Sequence, residues 1–166
     1  MQEQDASSQR DDRPDTAARS ARVRRIIVAG YGPVGRTVAE QLEEAGAQVT
    51  IIDANVSTIE RQQALDKHVV HGDVRDPEVL RAAGIDSADA LILAIPDERE
   101  AVAACGVARK LNPHIYLAAR TNFVSQGLLA REAGADHVVI EEIATAEAMQ
   151  RAVMQQLLGE KNDEPH

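Results

Sequence analysis

Three glycines and two aspartates are the residues of this chain whose types and spacing could do chemistry. Gly30, Gly32 and Gly35 stand in residues 24–36, RRIIVAGYGPVGR, where a short apolar run passes straight into a helical pattern. A G-x-G-x-x-G loop in that setting seats a nucleotide pyrophosphate on a helix N-terminus. Gly30 permits the tight turn, Gly32 lets phosphates approach the backbone, and Gly35 lets the helix pack on the strand. Taken alone, such a loop fits equally a turn that only turns. Asp53 follows about 20 residues on, at the end of the second apolar run, where a carboxylate accepts hydrogen bonds from the adenosine ribose. That carboxylate repels a 2′-phosphate, and Ala54 and Asn55 supply no arginine to receive one, so NAD or an adenine nucleotide is expected rather than NADP. Asp53 also reads as an N-cap for the following helix, and the two roles can coexist. Asp73, after Gly72, reads as an acceptor for the adenine amino group or as a turn residue. Ala94 and Ile95 are expected to line the pocket wall.

Other chemistry finds no matching pattern. Tyr116 is followed four residues later by Arg120, not by the lysine of a Tyr-x-x-x-Lys pair, and there is no Gly-x-Ser-x-Gly elbow. His68, His71 and Asp73 suggest a metal site only until strand geometry is applied. Side chains three apart on a strand point to opposite faces, so they do not chelate one ion together. The expectation is a cofactor site without an evident reaction. The rival reading is a small NAD-dependent oxidoreductase, or a fragment of one, using the same site for hydride transfer.

The elements that must position these residues alternate along the chain. Ile26, Ile27 and Val28 form a continuous apolar run, as in a parallel strand covered on both faces. Val34, Val38 and Leu42 recur every four residues, and Gly46 stops that helix. Further strands are expected at 49–52, 69–70, 90–95, 115–119 and 138–140. Helical pieces are expected around Ile59 and Leu65, after the Asp76-Pro77 start signal, at 97–111 and at 125–133. A last helix carries the stripe Met149, Val153 and Leu157. Six strands alternating with helices predict an α/β, Rossmann-like, doubly wound parallel six-stranded sheet with strand order 3-2-1-4-5-6. Residues 1–22 read as a disordered N-terminal segment, 23–158 as the folded domain and 159–166 as a flexible tail.

Composition narrows the function class. At 166 residues and 44% hydrophobic content the chain suits one domain with a real core. Aromatic residues are 2% of the chain, so base stacking on aromatic side chains is not expected as a main binding mode. A net charge of -9 argues against nucleic acid or an anionic membrane surface as a primary partner. The lone cysteine, Cys105, reads as a small buried residue in a reducing cytosol. No apolar run approaches the roughly 20 residues of a membrane span, and the N-terminus lacks a secretory h-region.

From residue 25 to about 158 the sequence resembles the regulator-of-potassium-conductance N-terminal domain, also called the RCK N or TrkA-N domain, of Trk, Ktr and Kef systems and ligand-gated potassium channels. The resemblance rests on GYGPVGRTVAEQL at 30–42, VTIID at 49–53 and VVHGDVRDPEVLRAAGIDSADALILAIPDE at 69–98. ARTN at 119–122 and GADHVV at 134–139 complete it, and it is nearest to the Kef-type branch. It implies a non-catalytic regulatory domain that binds NAD(H), AMP or a related adenine nucleotide and passes its state to a potassium channel or transporter. The implied cofactor-binding set is Gly30, Tyr31, Gly32, Pro33, Val34, Gly35, Asp53, Ala54, Gly72, Asp73, Val74, Ala94, Ile95 and Arg120. A homodimer is also implied, with the last helix crossing to the partner, and a cytoplasmic location at the inner face of the membrane. Many relatives carry an arginine between the second and third glycines. Pro33 stands there in this chain, with Arg36 one residue beyond Gly35, which argues against sensing of an ATP γ-phosphate. No second regulatory lobe follows and no membrane part precedes the domain, so the expectation is a stand-alone subunit or a piece of something longer.

Overall fold

A computed structural model describes residues 23 to 158. The readings of 1–22 as disordered and 159–166 as a flexible tail lie outside the described residues. Strands β1 (Arg25–Ala29), β2 (Gln48–Asp53), β3 (His68–His71), β4 (Ala90–Leu93), β5 (Tyr116–Thr121) and β6 (His137–Ile140) alternate with helices. The helices are α1 (Pro33–Glu44), α2 (Val56–Gln63), α3 (Pro77–Ala82), α4 (Glu98–Leu111), α5 (Val124–Glu132) and α6 (Glu141–Leu158). The strands form one sheet in the order β3-β2-β1-β4-β5-β6. Every pairing is parallel. This is the doubly wound, Rossmann-like arrangement expected from the alternation of apolar runs.

Register follows from burial. Val28 lies opposite Ile51 on one side and Ile92 on the other, so like residues sit in rows across the sheet. The row of Val28, Ile51 and Val49 faces α1, where Ala39 completes a small core with Leu42 and Tyr31 against it. The opposite row, including Ile27, Ile52, Leu91, Leu93 and Leu117, faces the main core with Leu80, Ile85 and the alanine-rich side of α4. Ala101, Ala104, Cys105 and Ala108 are buried there, and small side chains let that helix lie close on the sheet. Burial pushes the Cys105 thiol up to about 11, so the inert reading of this cysteine agrees with its place.

Helix starts are set by side chains. Asp76 accepts from the Glu78 amide at 2.9 Å with Pro77 at the first helical turn. Asp97 does the same for Arg99 and Glu100 at the head of α4. Beyond β4 the last strands are tied by Arg109 of α4. It donates to the carbonyls of Pro113, Ile115 and Gly134 and pairs with Asp136 at 2.9 Å. Burial works to raise the Asp136 carboxyl, but hydrogen bonds from the Leu117 amide and from Arg109 hold it below its ordinary value.

The two faces of the sheet are not equally covered. On the side of α1, Ile92 and Ala118 are half-buried and Val139 of β6 is 45% exposed. Helix α6 leaves the end of β6 and buries none of its residues. The expected fourth strand, 90–95, ends at Leu93; Ala94 still donates to the Ala29 carbonyl at 2.8 Å, and the chain then passes Gly30 at Ile95.

Candidate nucleotide site

Strand order reverses at β1, between β2 and β4, and there the carboxyl ends of the strands open into a cleft of about 400 Å³. In a doubly wound sheet this is the position for a ligand. Gly30, Asp53, Ala54, Gly72, Asp73, Val74 and Ile95, all named from the sequence, line it together with Ile52, Arg75, Pro96 and Glu100.

The glycine loop is built from backbone contacts. Gly30 has φ +87° and donates its N–H to the Ile52 carbonyl at 2.8 Å. A Cβ on Gly35 would stand 1.7 Å from the Gly30 carbonyl oxygen, so α1 meets the turn backbone to backbone. Gly32 is the N-cap of α1 with no side-chain cap bond, Pro33 follows it, and a Cβ on Gly32 would meet nothing within 4 Å. The first turn of α1 carries no acidic residue. Its orphan amide donors and the positive end of the helix dipole therefore face open space beside the cleft, which suits an anionic group.

Asp53 is engaged without any ligand. One carboxylate oxygen accepts from the Tyr31 amide at 2.7 Å and the other from the Asn55 amide at 2.8 Å. It thereby braces the glycine loop from the end of β2. The N-cap of α2 is Asn55, whose side chain accepts from Ser57 and Thr58. This corrects the capping alternative considered for Asp53: the chain reaches helical geometry only at Val56, too late for Asp53 to cap it. Each carboxylate oxygen has a second lone pair beyond the one these amides use, and Asp53 lines the cleft. Tyr31 contributes its backbone, while its ring packs with the small core on the α1 side. Burial, then the nearby Glu40 charge, raises its phenol.

Asp73 is a turn residue, one of the two roles read for it from the sequence, and it has a partner that neither reading included. It accepts from the Arg75 amide at 2.8 Å, making a turn, and both its oxygens receive the Arg75 guanidinium at 2.6 to 3.0 Å. Those bonds hold its carboxyl below the usual carboxylate range. Arg75 also reaches Glu100 of α4 at 3.1 Å, joining the two walls of the cleft. Arg75 and Glu100 were not among the residues named from the sequence. The spacing Asp-x-Arg in a turn after a strand was the signal that could have found the first of them.

Val34, Ala94 and Arg120 line a second groove, of about 260 Å³, with Val38, Ile92, Val139 and Glu141. Arg120 Nε is buried and lies 2.7 Å from Glu141, but its N–H does not point along that line, so the contact is an ion pair without a straight hydrogen bond. His71 bonds the Ala54 carbonyl at the carboxyl end of β3. His68 begins the strand and lines a third cavity of about 240 Å³ at the opposite edge, with Arg25 and Gln48. Among the described residues no group of three His, Cys, Asp or Glu side chains is placed to hold a metal ion. Arg36 stands exposed, 3.9 Å from Glu40.

Comparison with known proteins matches the TrkA-N domain family over residues 26–141. The sequence is 31% identical over 115 residues to Potassium channel protein 1 of Methanocaldococcus jannaschii, covering 68% of this chain and 34% of that protein. The chain thus spans about a third of that curated relative. The crystal structure of the TrkA-N domain of the inner membrane protein ybaL from Escherichia coli superposes with a TM-score of 0.76 at 26% identity, covering 80% of this chain and 98% of that one. The Shewanella denitrificans Kef CTD in its AMP-bound form gives a TM-score of 0.71 at 27% identity, covering 82% of each.

Proposed function

The chain belongs to the TrkA-N domain family, and on that premise we propose that it is a regulatory receptor for an adenine nucleotide, NAD(H) or AMP, which passes its occupancy to a potassium channel or a potassium efflux or uptake transporter. One observation carries the reading. The cleft at the strand-order reversal is lined by Gly30 of the glycine loop and by the Asp53 carboxylate, and the N-terminus of α1, with no acidic residue in its first turn, starts beside it. Besides Asp53, the titratable groups of the lining are Asp73, Arg75 and Glu100, which pair with one another, and the lining holds no His, Lys, Cys, Ser or Tyr. The AMP-bound relative supports the ligand class, and the potassium channel relative supports the kind of partner.

The bound nucleotide would set its pyrophosphate or phosphate against Gly32 and the first turn of α1 and its ribose hydroxyls against Asp53. The adenine would lie toward Gly72, Val74 and Ile95. Pro33 in the loop, and Arg36 already beside Glu40, leave a γ-phosphate without a cation there. The protein would act at the cytoplasmic face of the membrane as a homodimer, with α6 as its contact to the partner.

Calorimetric titration with NAD, NADH, AMP and ATP tests this. At least one of NAD, NADH and AMP binds with one site per chain and ATP binds more weakly. Absence of binding by all four at millimolar concentration contradicts it. Turnover of NADH with a panel of carbonyl substrates would instead restore the oxidoreductase reading.

A further inference from the structure

Within the nucleotide-binding reading, on which this inference rests, we propose that Arg75 is the stacking platform for the adenine ring, with its guanidinium held flat against the cleft by Asp73 and Glu100.

An adenine base needs a flat, polarisable surface, and aromatic side chains are the usual suppliers. This chain has three aromatic residues, Tyr31, Tyr116 and Phe123. None lines the cleft. Tyr31 packs into the core beneath α1, Tyr116 begins β5 at the amino end of the sheet, away from the cleft, and Phe123 precedes α5. Among the cleft-lining side chains the one planar cation is the guanidinium of Arg75, the other planar groups being the carboxylates of Asp53, Asp73 and Glu100. Guanidinium planes stack on bases and carry a cation–π contribution besides.

The contacts of Arg75 prepare it for this use. Its Nε and Nη2 donate to Asp73, and Nη2 also meets Glu100. Carboxylates receive a guanidinium in its own plane. The edge is therefore satisfied by protein, which leaves the face of the plane for stacking, and the side chain is 44% exposed. Two anchors from different elements, the turn after β3 and the first turn of α4, fix the plane before a ligand arrives. Little side-chain entropy is then left to lose on binding. The same contacts change the role of Asp73. Both its oxygens already serve Arg75, so it positions the guanidinium instead of receiving the adenine amino group itself.

The test compares adenosine and AMP as probes by equilibrium binding to the wild type, Arg75→Ala, Arg75→Lys, Asp73→Ala and the double variant Arg75→Ala with Asp73→Ala. Stacking predicts that Arg75→Ala weakens both probes by the same factor, roughly 3- to 30-fold. Arg75→Lys, which keeps the charge and loses the plane, weakens them nearly as much. Asp73→Ala gives a comparable loss, and the double variant adds little to it. Circular dichroism melts of all variants stay close to wild type, because the exchanged groups lie at the surface. Unchanged affinity in Arg75→Ala overturns the proposal. So does a loss confined to AMP, which would mark a phosphate contact, or full rescue by Arg75→Lys, which would mark charge alone. Additive losses in the double variant overturn the positioning role of Asp73. A wild type that binds neither probe removes the nucleotide reading itself and this assignment with it. Wild-type binding with an indifferent Arg75 removes this assignment alone.

Discussion

Asp53 holds two backbone amides, those of Tyr31 and Asn55, and still faces the cleft with lone pairs to spare. Its removal therefore has two consequences. Asp53→Ala should weaken binding of AMP or NAD(H) by on the order of 1 to 3 kcal/mol through lost hydrogen bonds to a charged acceptor. It should also lower the melting temperature, because the glycine loop loses its brace. Calorimetry and thermal melts measured on the same variant separate the two effects. A lowered melting temperature with unchanged affinity would leave Asp53 a structural brace only. The position of this carboxylate was legible in the sequence, because strand end and spacing suffice to place it. Its competing role as a helix cap was not decidable there, since Asp53 and Asn55 are both capping residues and only the observed start of α2 at Val56 chooses between them. The Asp73–Arg75–Glu100 cluster was illegible for a related reason. Its pairing depends on a turn that folds Arg75 back over Asp73 and on the approach of α4 from across the sheet.

At the scale of elements, the meeting of β1 and α1 separates two glycines that look alike in the motif. Gly35→Ala places a methyl 1.7 Å from the Gly30 carbonyl oxygen, a backbone atom with nowhere to go, and should cost on the order of 3 kcal/mol of stability. Gly32→Ala points its methyl into open space at an ordinary helix-cap φ of −76°. It should leave the denaturation midpoint almost unchanged and weaken nucleotide binding where phosphates approach the backbone. Urea denaturation with parallel binding assays checks the pair, and equal stability losses would contradict the distinction. Helix α6 carries the other element-level expectation. Met149, Val153 and Leu157 are 64%, 51% and 73% exposed, and among the described residues the groove over Ile92, Ala118 and Val139 is bordered by Val34 and Val38 of α1 but not covered by a helix. An apolar stripe and an apolar groove that do not cover each other within one chain fit a pairing between two copies. Light scattering should find a dimer, and polar replacement of Met149, Val153 and Leu157 together should yield monomers. A strictly monomeric wild type at high concentration would refute it. The stripe was legible from its four-residue spacing, but that spacing is the same whether a helix covers its own sheet or another's.

For the whole molecule, the order of strands followed from alternation together with the glycine loop after the first strand, since short right-handed connections between parallel strands leave few arrangements. What alternation does not determine is where the strands stop. Leu93 rather than Ile95 ends β4, and after one more bond from Ala94 to Ala29 the chain packs Ile95 against Gly30, a contact between segments some sixty residues apart in sequence. The net charge of -9 is carried partly at the cleft, where Asp53, Asp73 and Glu100 face a single guanidinium among the lining residues. The backbone of the glycine loop, not a cationic side chain, is therefore left to meet a phosphate. The central claim is that an adenine nucleotide occupies this cleft, and amide-resolved NMR titration with AMP tests it most directly. The account predicts saturable shifts concentrated at Tyr31, Gly32, Val34 and Gly35, at Asp53 and Ala54, and at Gly72 to Arg75, with the amino-end cavity around Arg25 and His68 unmoved. Shifts that cluster at that cavity, or none at saturating AMP, would contradict it.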